Sequence, residues 1–289
     1  MNFPKLKYLS AMALFGTIGI FVRYIPLSSA AIAFFRGVLG CAYLILVMLL
    51  CKKKPQLSAI RQNLLLLLLS GAAIGFNWIL LFESYKHTTV ATATVCYYLA
   101  PLLLVLASPA LGERLTAKKL LCVSVALTGL LFVSGITESG IPSAGDLKGI
   151  ALSVGAAVLY ATALFLNKKL SPIGAYDKTL LQLGSATVVI FPYLLLTEGL
   201  TIPQLTPVPW ILLLTVGIVH TGIAYSFSLD SIHRLNTQTI GIFSYLDPVV
   251  AVLLSALFLR EPMSLSGIIG TVLILGSALY SELPERKTA

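Results

Sequence analysis

Ten apolar runs of roughly 17–25 residues follow one another along the chain, at 7–24, 28–51, 61–82, 88–111, 117–135, 147–168, 176–196, 209–229, 236–259 and 264–281. Each is long enough to cross the hydrocarbon of a bilayer as an α-helix. No soluble fold can hide that much apolar sequence. The chain is 57% hydrophobic and only 11% charged, too little charge to cover a water-facing surface. The expected fold class is an all-α polytopic membrane protein with ten transmembrane helices. The net charge of +9 does not point to nucleic acid, because the lysines and arginines lie in the short links between runs and not on one folded face.

The links also set an orientation, since cytoplasmic loops collect Lys and Arg. With the N-terminus inside, the inner links hold Lys5, Lys7, Lys52, Lys53, Lys54, Arg61, Arg114, Lys118, Lys119, Lys168, Lys169, Lys178, Arg234, Arg286 and Lys287. The outer links hold Arg23, Lys86, Lys148 and Arg260. That is 15 against 4, with Arg36 left inside a run. Both termini are expected in the cytoplasm, in a multi-pass protein of the cell (inner or plasma) membrane. Lys5 and Lys7 ahead of an apolar run also fit a signal peptide with a small-residue site near Ala30. The counterpart of that run recurs at 149–170, where no signal can act, so an uncleaved first span is expected.

The second half of the chain repeats the first without a gap over a long stretch, at an offset of 147 residues. Gly75 falls on Gly222, Glu83 on Asp230, Ser84 on Ser231 and Thr92 on Thr239. Tyr98, Leu99 and Pro101 fall on Tyr245, Leu246 and Pro248, and Ser108 on Ser255. The link at 137–146, with Gly140, Pro142 and Gly145, is the natural boundary and divides the chain into repeats 1–139 and 140–289. Five runs per repeat is an odd number, so the second repeat enters the membrane with opposite polarity. The expectation is a 5+5 inverted repeat whose halves can exchange conformations and open a central site to either side. Glu83 and Asp230 would then sit at opposite rims, each ahead of a basic pair, as candidate rim salt bridges or ordinary charged loop ends.

Within this frame one motif is costly. Phe243-Ser244-Tyr245-Leu246-Asp247-Pro248 lies in the middle of the ninth run, and Cys96-Tyr97-Tyr98-Leu99-Ala100-Pro101 in the middle of the fourth. A buried acid disfavours insertion by about 2.5–3.5 kcal/mol, and Pro248 deletes the hydrogen bond to the Ser244 carbonyl. Pro101 and Pro248 are expected to interrupt their helices and to serve as gates. Asp247 has no acidic mate, since Ala100 takes its place. It is either a proton-coupling group or counter-charge for a substrate ammonium, or a structural acid hydrogen-bonded to the broken backbone.

Arg36 lies about 12 Å below the outer end of the second run. It could bind a substrate carboxylate, pair with Asp247 or Glu83, or snorkel. His220, near the middle of the eighth run, is a packing residue or part of a proton relay. Asn77, Trp78, Tyr97, Tyr98, Tyr160, Gln182, Tyr225 and Tyr245 sit at the depth where such groups orient ligands, or else pack helices. Tyr98 and Tyr245 rank first because the repeat places both three residues before a proline. The four cysteines have no metal spacing. There is no P-loop, no HExxH, no GxSxG and no nucleophile constellation. No catalytic residue, metal or cofactor is therefore expected. The expected partners are the bilayer, a small-molecule substrate and protons, with no nucleic acid, and nothing specifies an oligomeric state.

The ten runs, the five-plus-five repeat and the prolines in runs four and nine resemble the drug/metabolite transporter superfamily, EamA type. So do the links Gly-Glu-Arg-Leu-Thr at 112–116 and Arg-Glu-Pro-Met-Ser at 260–264. The likeness covers nearly the whole chain. It implies a secondary transporter that exports or exchanges small metabolites such as amino acids, with a cavity lined mainly by spans one, three, four, six, eight and nine. The chain is too long for the four-span multidrug branch and lacks the intramembrane basic residues of a sugar-phosphate exchanger. A passive channel and a membrane scaffold without transport activity are the alternatives that a flux measurement separates.

Overall fold

A computed structural model of the protein describes residues 3–112, 115–133, 143–198, 205–232, 234–235 and 243–283, without the side chains of Ser108, Asp230, Ile232, Ser281 and Glu282. The described residues form helices and links, with no strand among them. Helices α1 (Phe3–Arg23), α2 (Ser29–Leu50) and α3 (Leu57–His87) are followed by an interrupted pair, α4 (Val90–Tyr97) and α5 (Ala100–Ala107). Then come α6 (Ala117–Val133), α7 (Ala144–Lys168) and α8 (Ala175–Glu198). The eighth run is built of α9 (Pro207–Thr215), a π-helical segment (Val216–Ile223) and α10 (Ala224–Ile232). The chain closes with α11 (Leu246–Leu254), a second π-helical turn (Ser255–Leu259) and α12 (Leu265–Glu282). Seven of the described helical stretches are long and apolar enough to cross a membrane by length and composition. Shorter apolar helices accompany them.

The starts are encoded locally. Ser28, Thr89, Ser143 and Ser264 each accept a backbone N–H of the first turn they precede, at α2, α4, α7 and α12. The outer surface of the bundle carries Leu49, Leu65, Leu121, Val188, Leu196, Leu257 and Leu265 fully or mostly exposed. A protein in water would bury them; a lipid-facing surface does not need to. The chain is a multi-pass membrane protein.

Between helices, small residues set the distance. A Cβ at Gly16 of α1 would run into the Asp247 carbonyl and, 2.7 Å away, the Cβ of Val250 on α11. At Gly129 of α6 it would meet the Gly270 carbonyl of α12 at 2.9 Å. Gly71 and Gly75 bring α3 equally close to α8 at Gln182, Ser185 and Ala186. Such close approach gives dispersion contact where lipid removes the hydrophobic drive between helices. Side-chain hydrogen bonds add to it, from Asn77 Nδ2 to the Ala156 carbonyl (2.5 Å), Gln182 Nε2 to Ser70 Oγ (2.7 Å) and Ser185 Oγ to the Leu68 carbonyl (2.7 Å).

Helix α3 is longer than the apolar run at 61–82. It starts at Leu57 and ends at His87. Its polar end is held by the α7–α8 link: Asn63 exchanges hydrogen bonds with the Ser171 backbone, the Gln56 N–H donates to Asp177, and the Gly174 N–H to Gln56. At its other end Glu83 pairs with Lys86 (3.0 Å) and His87 (3.4 Å) and accepts from Ser29 (2.7 Å). Of the matching pair expected at Asp230 and Arg234, the Asp230 side chain lies outside the described residues, as do residues 236–242 of the ninth run and most of the link at 137–146.

Gly16→Val is expected to lower stability by about 1–3 kcal/mol, because overpacking here pushes α1 off α11. Gly276→Ala, which would meet nothing within 4 Å, is expected to leave it unchanged. Thermal unfolding of the two purified variants in one detergent checks this. Equal midpoints would contradict the packing described.

Candidate functional site

Both prolines lie where an interrupted helix restarts. Pro101 is in the first turn of α5 and Pro248 in the first turn of α11. A missing N–H costs nothing there, because the first turn has no acceptor for it. The residue that ends the preceding turn has the same backbone in both copies, φ −72°, ψ 6° at Tyr98 and φ −73°, ψ −6° at Tyr245. This bridge region is sparsely populated. The repeated Tyr-x-x-Pro is thus a repeated helix break.

The two breaks face each other. The Tyr98 hydroxyl donates to Asp247 Oδ2 at 2.7 Å and lies 3.5 Å from the Ser244 carbonyl. The rings of Tyr98 and Tyr245 are 6.1 Å apart. Tyr97 stands edge-on to Tyr98 at 6.0 Å and stacks on Tyr160 of α7 at 5.4 Å. Asp247 also sits at the N-terminal end of α11, where the helix dipole suits a carboxylate.

Arg36 takes a different position. Its side chain is 6% exposed. Its Nε donates to Thr221 Oγ1 at 2.8 Å, and its guanidinium lies 4.2 Å over the Trp78 ring and 5.6 Å from that of Phe82. Asp247, Tyr97, Tyr85 and Tyr225 are within its Coulombic reach. Among the described residues no ion pair joins it to Asp247 or Glu83.

The remaining residues separate. His220 faces α1: Nε2 is 2.7 Å from Thr17 Oγ1, the ring meets Phe21 edge-on at 4.8 Å, and Nδ1 is 3.2 Å from the Thr215 carbonyl. No bond joins it to Asp247. Tyr225 packs on Phe15 at 5.3 Å. Gln182 and Asn77 are spent on the α3–α8 and α3–α7 contacts already given. His220 and Thr221 both lie in the π segment, where they face α1 and α2, and π segments of this kind cluster at functional sites.

Sequence reasoning missed Thr221, Thr17 and Glu261. The first two are uncharged and carry no signal. Glu261 could have been found, because the link that contains it has a glutamate in both repeats. Its carboxylate accepts from the Val90 N–H (2.9 Å) at the start of α4 and from the Ser255 hydroxyl.

The sequence model of the EamA-like transporter family matches this chain twice, over residues 6–135 and 147–281. The chain belongs to that family. As an EamA-like, drug/metabolite-type transporter it is 31% identical over 280 residues to the uncharacterized transporter YxxF of Bacillus subtilis (strain 168), covering 95% of this chain and 88% of that one. It is 24% identical over 244 residues to the threonine/homoserine exporter RhtA of Escherichia coli (strain K12), covering 84% and 79%. A solved crystal structure, 22% identical, shares the fold with a TM-score of 0.68 over 96% of both chains. In this EamA-like chain the break motifs of the two matched segments are therefore the residues in mutual contact.

Tyr98→Phe and Asp247→Asn are expected to be non-additive. If the bond joins them, the summed stability losses of the two single variants should exceed the loss of the double variant by about 1–3 kcal/mol. A double variant equal to the sum of the singles would separate the two residues.

Proposed function

We propose that this EamA-like transporter is a secondary active carrier that exports or exchanges small metabolites such as amino acids across the cell membrane by alternating access. The observation that carries this reading is the bond between Tyr98 and Asp247, made across two equally interrupted helices from the two halves of the chain. A broken helix at mid-membrane is tolerated only where protein or a water-lined path surrounds it, and paired broken helices mark substrate sites in carriers.

The architecture we assign is ten spans in two inverted repeats, 1–139 and 140–289, with both termini in the cytoplasm. Helix pairings support it. Exchanging the halves converts α3–α7 contact into contact of the eighth run with α1, and α4 and α5 on α7 into α11 on α1. It turns α3–α8 into the eighth run on α2, and returns α6–α12, α2–α8 and α4–α11 to themselves. Two three-span groups emerge, α3/α4–α5/α7 and α1/eighth run/α11, that meet chiefly at α4–α11. The Glu261 carboxylate on the Val90 N–H spans that meeting line at the outer end, where it would hold the groups together until they part.

In this reading Tyr98, Tyr245 and Tyr160 line the substrate path, Pro101 and Pro248 allow its walls to bend, and Asp247 carries the coupling proton. The buried Arg36 and Asp247, of opposite formal sign and not paired with each other, suit a zwitterion. The name of the RhtA relative, which concerns threonine and homoserine, agrees with that class.

Reconstituted protein should show saturable uptake and counterflow with a small-solute panel led by threonine and homoserine. Flux that does not saturate would indicate a channel, and no flux a scaffold. Asp247→Asn should remove the pH dependence of transport. A variant with unchanged rate and unchanged pH dependence would take Asp247 out of the mechanism.

A further inference from the structure

Arg36 is the lysine or arginine that the sequence leaves deep inside a span, and what the protein does with it is specific. Its Nε is held by Thr221 Oγ1 at 2.8 Å. Thr221 Oγ1 in turn donates to the Val216 carbonyl at 2.9 Å, five residues back, so the π segment fixes the acceptor. Trp78 supplies a flat face under the guanidinium at 4.2 Å. These contacts use one edge and one face of the fork. Its two terminal amino groups have no hydrogen bond or ion pair among the described residues, although the side chain is 94% buried (6% exposed). Neither candidate acid is bonded to it: Asp247 bonds Tyr98, and Glu83 bonds Ser29, Lys86 and His87.

A buried guanidinium left without an anion is expensive, and snorkelling does not relieve it, because the head is pinned at depth. A planar fork with both terminal donors unspent matches a carboxylate in bidentate geometry. The aromatic face below restricts tilt and leaves the fork edge as the approach. We infer that Arg36 is the carboxylate subsite of the transport site, with Thr221 and Trp78 as its positioning residues, and that the transported solutes are those bearing a free carboxylate. This inference rests on the transport reading above. It assigns the charge contact that separates acids from their amides.

The comparison of an acid with its isosteric amide isolates the contact, because the ammonium end and the shape are kept. Proteoliposomes holding the full chain are assayed for counterflow with L-threonine, L-homoserine and the other common L-amino acids, each against its carboxamide. Wild type should prefer the acid by about 10- to 100-fold, the range for a charge-assisted hydrogen-bonded pair. Arg36→Gln should bring acid and amide to parity, and Arg36→Lys should keep part of the preference. Should Arg36→Gln fail to fold, Thr221→Val decides: it should raise the KM for the acid several-fold, leave kcat and the amide unmoved, and be rescued by Thr221→Ser.

An acid preference that survives Arg36→Gln or is untouched by Thr221→Val overturns the assignment. Saturable flux confined to solutes without a carboxylate overturns it too, while transport itself stands. No saturable flux of any solute overturns both.

Discussion

Backbone groups released inside a bilayer have no water to turn to, and this structure is arranged around that constraint. The chain leaves the α-helix at Tyr98–Leu99, at Val216–Ile223, at Tyr245 and at Ser255–Leu259. Side chains meet the freed groups. Thr221 and His220 reach the Val216 and Thr215 carbonyls across the π segment. Tyr98 lies over Ser244 and binds Asp247, and Glu261 takes the first N–H of α4. Each of these side chains also touches a second helix, or in Glu261 the end of one. The places where the backbone is irregular are therefore also places where the halves touch, beside the regular contacts of α3 with α7 and α8.

The halves share a scaffold but not a chemistry. At the repeat offset, Gly37 falls on Gly184 and Gly75 on Gly222, positions where helices approach closely or face lipid. At the same offset His220 and Thr221 fall on Ala73 and Ile74, and Arg36 on Leu183. Helix α3 is accordingly unbroken where the eighth run is π-helical. Asp247 has Ala100 as its mate. In the function proposed here the symmetric prolines Pro101 and Pro248 would let the walls bend, while Arg36 and Asp247, which have no charged mate, would supply the ligand chemistry.

Much of this was legible in the sequence. Apolar runs located the helices, because hydrophobic length is a strong signal, and the Tyr-x-x-Pro repeat located both breaks, because proline acts locally. Helix α3 outran its apolar run at both ends, where Gln56 is bonded to Asp177 and Gly174 and Glu83 to Ser29, Lys86 and His87. The π segments were not legible in any local pattern, nor were the contacts that His220 and Thr221 of the first make with Thr17 and Arg36 of other helices. For the same reason the choice between an Arg36–Asp247 pair and separate roles needed three dimensions. Asn77 and Gln182, placed by depth alone among residues that orient ligands or pack helices, bond α3 to α7 and α8.

In the proposed cycle the two three-span groups rock about the α4–α11 contact. Spin labels at Thr89 and Arg260 report one end of that meeting line, and labels at Ala110 and Arg234 the other. Pulsed electron-resonance distances should show two populations at each end, long at one end when short at the other, exchanging weight in opposite senses when a transported solute is added. A single distance at both ends, unchanged by solute, would contradict the account.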